Sequence, residues 1–158
     1  MPETTGTLGR RVLFGIAAAL LLAGPAAAAD DARKAEAKAM VDRGIADVAR
    51  LGPEAAFAVM NTGEAGGYKQ HELYIFVVEV ATGTVVAQAN DKGRVGMDVR
   101  TMKDVDGVPY GELFMETATP EGTWVAYKRE NPVTKQIEPK ESFVVRSGDY
   151  IYGVGVYN

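Results

Sequence analysis

The chain has 158 residues, 47% of them hydrophobic and 24% charged, which is the size of one globular domain with no room for a second module. Its 17 Lys and Arg face 21 Asp and Glu, a net charge of -4, and that balance gives no electrostatic footprint for nucleic acid. With no cysteine and the single histidine His71, disulfides, thiolate or two-histidine metal sites, iron-sulfur clusters, c-type haem and cysteine nucleophiles are excluded, and no cofactor is expected.

Residues 1–29 read as an address. Arg10 and Arg11 form a positive n-region, residues 12–22 an apolar run, and Gly24-Pro25 closes it before Ala26-Ala27-Ala28-Ala29, the pattern of a signal peptide cut before Asp30. An uncleaved anchor is the other reading, but a span needs about 20 apolar residues and this run is shorter. Export to the periplasm follows, with a single domain over residues 30–158. Arg10-Arg11-Val12-Leu13-Phe14 approaches a twin-arginine pattern with Leu13 and Phe14 reversed, so the export route stays open.

Val41, Ile45, Val48 and Leu51 mark one stripe of a helix over residues 31–51,. Gly52 ends it and Pro53 opens a short helix over residues 53–60. The glycine-rich residues 61–67 are a loop without the spacing of a phosphate cradle. The period then becomes two: strands at residues 73–80 and 84–89 form a hairpin about Ala81-Thr82-Gly83,. Tyr74, Phe76 and Val78 share one face and Ile75 and Val77 the other, so the first strand is central and covered on both sides. Residues 90–122 form a crossover with a helical stretch at 109–118. Its Asp104-Val105-Asp106-Gly107 lacks the further oxygen ligands of a calcium loop and reads as a turn. Strands at 123–129, 141–146 and 150–157 follow, joined at Asn131-Pro132 and Ser147-Gly148-Asp149,. The expected class is α+β: an antiparallel sheet of five strands, the long helix on one face and the crossover on the other.

One known family shares this order of segments. Gly52-Pro53-Glu54-Ala55-Ala56-Phe57, Leu73-Tyr74-Ile75-Phe76-Val77-Val78, Gly83-Thr84-Val85-Val86-Ala87, Val95-Gly96, Asp104-Val105-Asp106-Gly107, Thr123-Trp124-Val125-Ala126-Tyr127-Lys128, Asn131-Pro132-Val133-Thr134, Glu138-Pro139-Lys140 and Gly153-Val154-Gly155-Val156-Tyr157 resemble the single Cache domain, type 2. The resemblance implies a PAS-like extracytoplasmic sensor fold that binds a small molecule, many members taking short organic acids. It implies partners too: a short carboxylate, and a membrane receptor or kinase, since the chain carries no transmembrane output half.

A sheet covered by a crossover leaves a concave pocket between them, and the candidate ligand contacts are Phe76, Gln88, Arg100, Trp124, Tyr127, Lys140 and Ser142,. Trp124 and Tyr127 have opposite parity, so one of the two faces the pocket. Lys140 opens the fourth strand on the face of Ser142 and Val144, and corresponds to a recurrent Pro-Lys of the family; its alternative is a solvated lysine beside Glu138 and Glu141. Arg94 and Arg100 are further cations. Gln88 stands where the family commonly has histidine, and Arg129 where it commonly has tryptophan. A hydrolase triad through His71 lacks the G-x-S-x-G elbow. The expected function is therefore a stand-alone binding module without catalysis. An interaction protein that dimerises through the long helix, or an exported enzyme of cystatin-like fold, are the alternatives, and the presence and lining of a pocket discriminate among them.

Overall fold

The computed structural model describes residues 25–158. The expected signal segment lies outside the described residues up to residue 24, and residues 25–29 begin helix α1 (Pro25–Leu51). The helix was expected from residue 31; it reaches back to Pro25 because Ala26 to Ala29 are the best helix formers and nothing among them interrupts the backbone ladder,. Gly52, at φ 83, turns the chain and satisfies the Val48 carbonyl at 3.0 Å,. Pro53 then starts α2 (Pro53–Met60).

Among the described residues the sheet has six strands, all antiparallel: β1 (Lys69–Gln70), β2 (Leu73–Glu79), β3 (Val85–Gln88), β4 (Thr123–Glu130), β5 (Ile137–Ser147) and β6 (Tyr150–Tyr157). Their order is β1-β2-β6-β5-β4, with β3 also paired to β2. Two expectations are corrected. β1 is an added two-residue strand, folded back on β2 through an exposed turn in which His71 has φ 54. β5 begins at Ile137, four residues early, because Pro139 keeps its carbonyl in use, accepting the Asn158 N–H at 3.1 Å, and so sits inside a strand,. Lys140 is therefore interior to β5.

Alternation sorts the side chains into two cores separated by the sheet. On one face α1 lays Ala37, Met40 and Val41 against Ile75, Val77, Tyr152, Val154 and Val156. Gly44 is the closest approach: any Cβ there would press on Ile75 Cδ1. The opposite face buries Phe76, Val78, Val144 and Ile151 beneath the crossover. That crossover makes two 3₁₀ turns, Lys92–Arg94 and Val99–Thr101, each opened by an aspartate, Asp91 or Asp98, that accepts a backbone N–H two residues on,. It then forms α3 (Tyr110–Thr117), which seats Tyr110 and Phe114 over the sheet. Each such ring contributes about 1.5–3 kcal/mol by leaving water. Asp104 caps the turn that precedes α3, its Oδ1 accepting from the N–H groups of Asp106 and Val108 and its Oδ2 from Lys128 N at 2.8 Å. Among the described residues no helix is long and apolar enough to cross a membrane.

Candidate functional site

Beneath the crossover lies a chamber walled by Phe76, Val99, Met102, Tyr110, Phe114 and Tyr127 and floored by Lys140. Its free space is about 30 Å³, enough for one or two waters. Tyr74, Gln88, Arg94 and Arg129 form a neck that opens into a polar vestibule of about 510 Å³.

Sheet register builds the floor. Tyr127, Lys140 and Tyr157 are directly opposed across β4, β5 and β6. Strand alternation turns all three toward the crossover. The Lys140 chain then lies diagonally over β6 to reach Tyr74 on β2, and Gly155 is what lets it pass: a Cβ at 155 would collide with Lys140 Cε and the Ser142 hydroxyl. Lys140 is 1% exposed. Its Nζ donates to Tyr74 Oη at 2.8 Å and lies 4.0 Å and 4.7 Å from the ring centroids of Tyr74 and Tyr157. Desolvated cation–π contacts of this kind are worth about 2 kcal/mol, less than the several kcal/mol that burying an ammonium costs. No carboxylate pairs with it among the described residues. Burial holds its pKa below the ordinary lysine value, with the Tyr74 hydroxyl opposing that shift and the charges of Arg129 and Arg94 adding to it. For Tyr74 itself, burial raises the pKa, but the Lys140 charge and hydrogen bond, together with Tyr157 and the Arg129 charge, outweigh it and bring the phenol down to about 8.

The upper wall is aromatic and tightly stacked. The rings of Tyr110 and Tyr127 are 4.3 Å apart, Phe76 and Phe114 5.1 Å. Tyr127 Oη shares a hydrogen bond with Ser142 Oγ at 2.9 Å, and burial pushes its pKa upward. At the neck, Arg129 donates to Tyr110 Oη at 2.9 Å, while Arg94 faces Asp91 at 3.3 Å. The Gln88 side-chain oxygen accepts the Asn90 N–H at 3.0 Å, which leaves its NH₂ as the group free to donate.

Of the seven residues singled out from sequence, the fold brings Phe76, Gln88, Tyr127 and Lys140 to the chamber. Ser142 stands one step behind the wall, bracing Tyr127. Two are elsewhere. Trp124 has the parity of the opposite face, where it packs against Phe143 at 5.2 Å under Lys34 of α1. Arg100 is exposed, its guanidinium taken by Asp98 and by the Thr82 carbonyl. The solvated reading of Lys140 is removed as well, since Glu141 pairs with Lys34 and Glu138 with Asn131 and Thr134. Tyr74, Arg129 and the α3 pair Tyr110 and Phe114 were not chosen as contacts. Strand parity with Phe76 and Tyr127 carries the signal for the first two, and four-residue helical spacing carries it for the α3 pair.

A family model described as Single Cache domain 2 matches residues 30–157. The chain belongs to the single Cache domain 2 family. Solved structures of chemosensory proteins share its fold. A methyl-accepting chemotaxis protein from Vibrio parahaemolyticus RIMD 2210633 is 20% identical with a TM-score of 0.68, the match covering 82% of this chain and 91% of that one. The periplasmic sensor domain of a chemotaxis protein is 21% identical with a TM-score of 0.59, covering 82% and 93%. A Cache chemosensory domain solved for its carboxylic acid recognition is 19% identical with a TM-score of 0.58, covering 82% and 96%. No curated protein matches the sequence. In Cache terms the chamber sits between the PAS-like sheet and its crossover, and α1 is the long helix on the far face.

Proposed function

We propose that this Cache domain reversibly binds a small carboxylate in the chamber and performs no chemistry on it, acting in the periplasm as a stand-alone sensor or presenting the acid to a membrane receptor or kinase. One observation carries the reading: a buried lysine without a carboxylate partner at the floor of an aromatic chamber. An ammonium held this way is under-compensated until an anion arrives, and a charge-assisted bond formed out of water is far stronger than a surface pair. The carboxylic acid recognition for which a structural relative was solved supports the same ligand class. Calorimetric titration of the purified protein with acetate, propionate and butyrate tests it. Binding should weaken about tenfold to hundredfold in Lys140→Ala, the loss of one charge-assisted bond. Unchanged affinity in that variant, or no binding of any acid by the wild type, refutes the proposal.

A further inference from the structure

The neck adds a second unneutralised cation to the one on the floor. Three cations line the chamber, Lys140, Arg94 and Arg129, and no acidic residue does. Arg94 has a carboxylate within ion-pair distance, Asp91 at 3.3 Å, although its Nε makes no hydrogen bond. Arg129 has no such carboxylate among the described residues. Its opposite number in the β4–β5 register is Glu138, but that carboxylate is drawn toward the hairpin end by Asn131 at 2.7 Å and by Thr134. Among the described residues the hydrogen-bond partner of the Arg129 side chain is Tyr110, through Nη1, so most of a five-donor fork remains unused. Arg129 lines both the chamber and the vestibule, and it lies two residues beyond Tyr127 on the same face of β4. The chamber's free space of about 30 Å³ leaves no room for a long tail above Lys140. A ligand whose carboxylate sits on Lys140 must therefore extend toward the neck, where an apolar tail would desolvate the guanidinium and a second anionic group would pair with it.

We propose that the preferred ligand is a short acid with two anionic groups, one held by Lys140 and the other by Arg129, which makes Arg129 the residue that sets ligand class. This rests on the acid-binding reading above and goes beyond it in naming the class and the residue. A bidentate guanidinium-carboxylate pair in a partly dry neck is a strong discriminator, because the mono-acid leaves the guanidinium desolvated and unpaired.

The test is calorimetry at constant ionic strength with acids matched in length: succinate against butyrate, and malonate against propionate. The wild type should bind at least one diacid about tenfold or more tightly than its mono-acid partner, the worth of one added charge-assisted pair. Arg129→Gln should weaken that diacid about tenfold more than its mono-acid partner, while Lys140→Ala weakens both. Equal affinities within both pairs overturn the inference on the wild type alone, whatever the folding of the variant. A diacid preference that survives in Arg129→Gln also overturns it. Mono-acid binding that depends on Lys140 but shows no diacid preference leaves the function standing and removes only this inference; absence of binding by every acid removes both.

Discussion

A lysine buried without a carboxylate has consequences that go beyond affinity. Replacing it by Met, which fills the same groove over Gly155 without a charge, should stabilise the apo protein, because burying the ammonium costs more than two ring faces and one phenol return,. A gain of about 1 kcal/mol moves a melting temperature by roughly 2–8 °C for domains of this size range. Thermal unfolding of Lys140→Met without ligand should therefore shift upward, and a lower melting temperature would show that the cation contributes to the fold. The coupled phenol adds a pH dependence. Tyr74 titrates near 8 in the folded state against 10.0 when unperturbed, so between these values the unfolded chain holds more protons and its folded-state contribution grows as pH rises. The anion so formed also competes with an acid for Lys140. Acid affinity should fall as pH rises through about 8. A wild-type affinity constant from pH 7 to 10 would contradict the coupling.

Strand β6 carries the geometry that makes these residues meet. Gly153 and Gly155 alternate with Val154 and Val156, so one face of the strand is bare where the other is filled. The bare face accommodates the Phe76 ring over Gly153 and the Lys140 chain over Gly155. Gly155→Ala should cost about 1–3 kcal/mol of stability by overpacking and lower acid affinity as well. In a double-mutant cycle with Lys140→Ala the stability cost should shrink, because the shortened side chain vacates the collision; additive costs would mean that Gly155 serves something other than the lysine. This is also where sequence reasoning reached its limit. Period-two alternation was enough to make β2 central and to send Trp124 and Tyr127 to opposite faces, but not to say which of the two lines the chamber,. It could not place Lys140 inside β5, since Pro139 reads as a strand start, nor show that its side chain crosses β6, which depends on inter-strand register and not on any local pattern. Between two loop arginines, periodicity says nothing: Arg94 reaches the neck and Arg100 turns back to Asp98 because of how two 3₁₀ turns succeed one another.

At the scale of the whole molecule, a chamber with about 30 Å³ of free space opens only through its neck, and seating a ligand of several heavy atoms over Lys140 requires the crossover to give way. Residues 90–108 form its least regular part, with short turns, exposed Val95, Met97 and Val105, and a few capping aspartates. Amide hydrogen exchange should slow in this segment on acid binding, while the sheet amides of β5 and β6 change little. Uniform slowing across the sheet would point instead to global stabilisation. The sheet also keeps two cores apart, one made with α1 and one with the crossover. Because the two cores share no side chain, the crossover side of the molecule is an evolvable surface: aromatics and cations there can be exchanged for others while the helix side goes on holding the same architecture through a different set of letters.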